Sequence, residues 1–277
     1  MAYQQIEKSN PSFTQKDLCL LTIHASSIQG RANVSVYNAY SQAKNLPIVI
    51  LLHGVYGNNW VWMNLGGAHM VYESLRQATP SLTEMVLVMP SDGNYFAGSA
   101  YLPLQDKGNY EAWIIDDMLD ATIATIDCVS NQSNIYIAGL SMGGYGALRL
   151  GAKYPSKFAG IAAHSAITQL EQMSEFVKEP LSHYLCQEKT EASILHWAQI
   201  NRASLPPIRF DCGTNDSLLA GNRLLSKQLE QLNISHIYEE CEGQHSWDYW
   251  NTQLAHTLQF FNRIETGKNE LSNQQNN

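Results

Sequence analysis

An α/β fold, built on a mostly parallel and doubly wound sheet, is what this sequence predicts, and three observations predict it. Apolar β-branched runs alternate with stretches of helical periodicity along most of the chain. The inner runs are apolar throughout rather than alternating, as strands covered on both faces must be. Glycine- and asparagine-rich loops follow two of these runs, where the carboxyl edge of such a sheet carries its ligand site.

Leu18 to His24 and Ala32 to Ala39 read as two strands joined by a turn at Gly30, an antiparallel pair at the sheet edge. Pro47 opens "PIVILLHG", a buried strand ending in glycine. Gly54 to Met63 forms the loop behind it, and Pro90 to Gly108 the loop behind the strand Met85 to Met89. Tyr110 to Val129 puts Trp113, Ile114, Met118, Ile123 and Ile126 on one helical stripe, with Asp116, Asp117 and Asp120 expected in solvent. Ile135 to Ala138 is the next strand, followed by a helix, Gly144 to Tyr154, that Pro155 stops. Gly160 to Ala163, Ile208 to Cys212 and Ser235 to Glu239 extend the sheet, with helices at Ser217 to Leu232 and Asp248 to Ile264. Ala166 to Leu205 breaks the alternation and reads as a small helical, lid-like insertion (166–205). In this reading 1–264 is a single domain and 265–277, "ETGKNELSNQQNN", a frayed polar tail.

Composition narrows the function classes. A formal charge of −8 without a Lys/Arg cluster disfavours nucleic acid and anionic membrane as partners. The opening "MAYQQIEKSNPSFTQKD" lacks the apolar core of a signal peptide, and no run is long enough to span a bilayer. Five scattered cysteines, none in a CxxC pair, argue against a disulfide framework or a zinc site. The expectation is a cytoplasmic protein acting on a small molecule, with a homo-oligomer left open.

One motif carries chemistry. "IYIAGLSMGGYGALRL" turns from strand to helix through Gly139-Leu140-Ser141-Met142-Gly143. In a G-x-S-x-G turn the residues two before and two after the serine approach each other, and glycine avoids the clash. The alternative is a glycine-rich turn with an incidental serine. A serine hydroxyl needs a base, and the base an orienting carboxylate. "IRFDCGTNDSLL" offers Asp216 in a loop after a strand, and "CEGQHSWDYW" offers His245 after the last strand. That is the order serine, acid, histidine. Asp211 lies within its strand, Asp248 reads as a helix-start acid, and His164 precedes the acid, against the order. For the oxyanion the N–H groups of Met142 and Val55 are the expected donors, Gly54 letting the chain turn beside the serine. Trp60 and Trp62 read equally as a core helix start or as a substrate wall with Gly54 and Trp247.

Together "LLHGVYGNNWVW", "GLSMGGYGALRL", "CGTNDSLL" and "GQHSWDYW" resemble the esterase D-like family of α/β-hydrolases. The resemblance spans about Pro47 to Trp250. It implies Ser141 as nucleophile, Asp216 as acid, His245 as base, and Val55 with Met142 as oxyanion hole. The implied activity is serine carboxylesterase, hydrolysing short-chain acyl esters through an acyl-enzyme, with no metal and no organic cofactor. Within the family the alternatives are S-formylglutathione hydrolase-type thioesterase, feruloyl or acetyl carbohydrate esterase, and acyltransferase; outside it, an inactive hydrolase fold that only binds. His53-Gly54 and Tyr145 stand where S-formylglutathione hydrolases usually carry a serine-glycine pair and often a histidine.

Overall fold

The computed structural model describes residues 3–267. Nine strands form one sheet: β1 (Tyr3–Lys8), β2 (Leu18–Ala25), β3 (Gly30–Tyr37), β4 (Ile48–Leu52), β5 (Val86–Pro90), β6 (Ile135–Leu140), β7 (Gly160–His164), β8 (Ile208–Gly213) and β9 (Ile237–Cys241). Their spatial order is β1-β2-β3-β5-β4-β6-β7-β8-β9. The first three strands are antiparallel to their neighbours, and from β5 to β9 every pairing is parallel. The edge is β1, not the β2–β3 pair. "YQQIEK" is too polar to signal a strand, yet its backbone pairs along β2. Strands β4 to β8 are buried on both faces, apart from the half-buried Ile135 that opens β6.

Among the described residues six helices of seven residues or more flank the sheet, beside a short helical turn at Val61–Asn64. α1 is Ala68–Ala78, and α2 runs through Tyr110–Ala112, a π-helical turn at Trp113–Met118, and Leu119–Thr125. α3 is Met142–Lys153, α4 Ile194–Ile200, α5 Leu219–Gln231 and α6 Trp247–Glu265. Two apolar layers result. On one face Ile50, Ile137 and Phe210 of the sheet pack with Leu148 of α3 and with residues of α2 and the insertion. On the other Leu51 and Ala138 of the sheet pack with Tyr72 of α1 and with Leu254 and Phe261 of α6.

The π turn changes one expectation. Asp117, predicted in solvent, is buried and accepts the backbone N–H (3.0 Å) and hydroxyl (2.6 Å) of Ser27. Its carboxylate thereby ties the β2–β3 turn to α2. Segment 166–205 folds as three 3₁₀ turns, Leu170–Glu175, Leu181–Tyr184 and Lys189–Ala192, followed by α4. Of the expected tail, Glu265 ends α6 and accepts from the Tyr136 hydroxyl (2.5 Å) and the Asn134 amide; 268–277 lie outside the described residues. All five cysteines are free thiols.

Candidate active site

Ser141 alone separates β6 from α3, so the whole reversal falls on one residue. It adopts φ 53°, ψ −119°, a conformation costly for a residue with a side chain. The flanking glycines are compulsory. A Cβ on Gly139 or on Gly143 would stand 2.2 Å from the carbonyl oxygen of Gly143 or of Leu52 respectively. Backbone bonds lock the turn: the Ser141 N–H donates to the His164 carbonyl (2.9 Å), and its carbonyl accepts from Tyr145 and Ile167 (3.1 Å each). The residue is only 2 % exposed, so the hydroxyl is sheltered from open solvent.

Two loops from the far side of the sheet complete the constellation, and they are zipped to each other. Thr214 N–H donates to the Cys241 carbonyl (2.9 Å) and Asn215 N–H to the Gly243 carbonyl (2.8 Å). A side chain on Gly213 would break this seam, because its Cβ would lie 2.6 Å from the Gly243 oxygen. The seam sets Asp216 against His245. His245 Nδ1 lies 2.9 Å and 3.1 Å from the two Asp216 carboxylate oxygens, and its Nε2 lies 3.1 Å from Ser141 Oγ. Leu218 N–H donates to Asp216 Oδ1 (2.9 Å). Burial of Asp216 works against its charge, but the bonds from His245 and Leu218 outweigh it and hold the carboxyl below the ordinary aspartate range. The acid is thus a permanent anion at neutral pH, which orients His245 with Nδ1–H inward and the Nε2 lone pair toward the serine.

The two expected oxyanion donors, Met142 and Val55, lie in segments next to Ser141. Met142 is the first residue of α3, so its N–H has no carbonyl of its own helix to meet, and it lies at the positive end of the helix dipole. Gly54 packs directly on Ser141: a Cβ there would be 3.2 Å from Ser141 Cβ. Val55 follows it, half-buried. A Cβ on Gly98 would stand 2.3 Å from Met142 Sδ, so the loop after β5 closes over the buried Met142 side chain.

The four expected wall residues divide. Trp62 is core, 1 % exposed, with its indole N–H donating to the Leu52 carbonyl (3.0 Å); the helix-start reading holds for it and the substrate-wall reading does not. Trp60 is largely exposed at the start of that turn. Trp247 packs edge-on between Trp62 (5.7 Å) and Trp250 (5.2 Å). Trp250 in turn meets the His245 ring at 4.9 Å. Gly54 lies against Ser141. His164, the competing base, is buried with both ring nitrogens engaged by groups other than the serine hydroxyl. Its Nδ1 lies 2.8 Å from Asp211 Oδ2, and Asp211 also accepts from Arg209 (2.5 Å) and Tyr249 (2.8 Å).

One neighbour escaped the sequence reading. Phe176 of the insertion stacks on the His245 ring at 5.1 Å and 26°, and its carbonyl accepts the Tyr56 hydroxyl (3.1 Å). No motif marks it, because nothing local says where residue 176 returns to the sheet edge. Among the described residues no group of three or more His, Cys, Asp or Glu could hold a metal, and no helix is long and apolar enough to cross a membrane.

Comparison with known proteins shows the family and the fold. The family model described as "Putative esterase" matches residues 25–261. An acetyl esterase of Caldicellulosiruptor saccharolyticus is 29% identical over 239 residues, which span 80% of this chain and 85% of that protein. A ferulic acid esterase structure superposes with a TM-score of 0.77 at 23% identity, covering 94% of this chain and 98% of its own. The fluorophosphonate-binding serine hydrolase F of Staphylococcus aureus superposes with a TM-score of 0.74 at 20% identity, covering 88% and 97%.

Proposed function

The chain belongs to the esterase family described as "Putative esterase" and is an ester-hydrolysing serine esterase, and we propose that Ser141, His245 and Asp216 are its catalytic triad. The observation that carries this reading is one imidazole bridging a serine hydroxyl at 3.1 Å and a buried carboxylate at 2.9 Å. His245 Nε2 takes the Ser141 proton as Oγ attacks the ester carbonyl. The resulting oxyanion is held by the Met142 and Val55 N–H groups, donors of a kind worth a few kcal/mol each. His245 then protonates the leaving alcohol. Water, deprotonated by the same nitrogen, frees the acid from the acyl-enzyme.

A small acyl group fits best. Phe176 and Trp250 pack on the His245 ring, and Met142 is buried under Gly98, so bulky side chains crowd the triad from two sides, which supports a short acyl chain. The acetyl esterase relative supports the same class. Five free thiols support a reducing, cytoplasmic location. Purified protein is expected to hydrolyse p-nitrophenyl acetate, and Ser141→Ala to lose nearly all of that rate. An inert wild type, or an active Ser141→Ala variant, overturns the assignment.

A further inference from the structure

His53 is buried to 1 % exposure at the end of β4, one residue before the glycine that packs on the nucleophile, and the triad does not use it. Both ring nitrogens are committed. Nδ1 lies 2.7 Å from the Gly54 carbonyl oxygen, which can only accept, so Nδ1 carries the proton. Nε2 lies 3.0 Å from the Asp92 N–H, which can only donate, so Nε2 carries the lone pair. One neutral tautomer satisfies both. Burial pushes the ring below the ordinary histidine value of 6.5, against the weaker pull of Asp92 and the Gly54 carbonyl. The backbone of His53 is held as well, because its carbonyl accepts the Tyr101 hydroxyl (2.9 Å).

The Gly54 oxygen also accepts from Gly57 N–H (3.2 Å), closing a four-residue turn with Tyr56 at φ 58°. In a trans peptide the carbonyl oxygen and the following N–H point to opposite edges of one rigid plane. The described residues contain no cis peptide. Holding the Gly54 oxygen toward the imidazole therefore turns the Val55 N–H away from it.

We propose that His53 is a positioning residue for the oxyanion hole: by gripping the Gly54 carbonyl it sets the Gly54–Val55 peptide plane and aims the Val55 N–H at the developing oxyanion. The proposal rests on the triad reading above. Gly57 belongs to the same device, since a Cβ there would stand 2.4 Å from His53 Nδ1 and displace the ring.

The test is steady-state kinetics on p-nitrophenyl acetate with three variants, beside thermal melts and Ser141→Ala. An oxyanion donor acts only in the transition state. His53→Leu should therefore lower kcat about 10²-fold while KM stays within about threefold. His53→Asn, whose amide nitrogen can take the place of Nδ1, should recover activity to within about tenfold of wild type. Gly57→Ala leaves His53 in the chain but pushes its ring aside, and should lower kcat like His53→Leu. Affinity for a trifluoromethyl ketone, which forms a tetrahedral adduct on serine, should fall in parallel with kcat/KM. The proposal is overturned if His53→Leu keeps kcat, if its loss lies in KM, or if Asn rescues no better than Leu. Should His53→Leu not fold, Gly57→Ala and His53→Asn decide by the same criteria. An active Ser141→Ala variant would sink the triad reading itself, whereas a dead Ser141→Ala beside an unimpaired His53→Leu sinks only the role of His53.

Discussion

Replacing Asp216 by asparagine tests the proposed triad acid against the other buried carboxylates of the described residues. The side chain keeps its size, and Oδ1 can still accept the Leu218 N–H at 2.9 Å. The change falls on the other atom. An NH₂ group then faces His245 Nδ1, which lies 2.9 Å from Oδ2 in the native site. Two donors cannot face each other, so the imidazole must present its lone pair at Nδ1 and its proton at Nε2. That proton points at Ser141 Oγ, 3.1 Å away, and Nε2 can no longer accept one. The same swap in serine proteases costs about 10⁴-fold in kcat, which at 1.36 kcal/mol per decade is about 5 kcal/mol of transition-state stabilisation. The assay is kcat for p-nitrophenyl acetate together with the melting temperature. Asp216→Asn should lose about four decades of rate with a modest change in Tm. Asp211→Asn provides the contrast. It weakens a buried partner of Arg209 and His164, at a cost of up to about 3–5 kcal/mol in stability. Its folded fraction should still turn over. A loss under tenfold in Asp216→Asn, or an equal loss in folded Asp211→Asn, would refute the assignment of the acid.

Three further outcomes are expected. Gly143→Ala should cost about 3 kcal/mol or more and abolish activity, because the new methyl meets backbone oxygens of Leu52 (2.2 Å) and His53 (2.6 Å) that no rotamer can evade; a near-native Tm would contradict this. Phe176→Ala removes the ring stacked on His245, and should raise the butyrate-to-acetate ratio of kcat/KM about tenfold while lowering kcat for acetate; an unchanged ratio would remove Phe176 from the acyl wall. Stability should fall with acid. Burial opposes the charge on Asp211, Asp216 and Glu111, yet their cationic and hydrogen-bonding partners hold all three carboxyls below their ordinary values of 3.8, 3.8 and 4.5. A folded-state value below the unfolded one gives stability that is complete above the unfolded value and lost as pH drops through the folded one. Melting temperature should therefore hold to about pH 5 and decline below about pH 4, and a Tm that rises through that window would reverse the sign.

What the sequence determined by itself is the part that rests on short-range physics. Continuous apolar runs could only be doubly covered strands, and glycines two residues either side of Ser141 could only belong to a turn that glycine alone survives. That Asp216 and His245 come together was legible because each sits in a loop directly after a strand, and parallel strands deliver such loops to one edge. Tertiary structure decided what depends on where distant segments meet. A polar hexapeptide became β1 because its backbone, not its side chains, found a partner. Trp62 went to the core rather than the site because the Leu52 carbonyl offered its indole a buried acceptor. Phe176 reached His245, and the His53 ring closed on Gly54 and Asp92, through contacts whose energy exists only once the chain has folded back on itself.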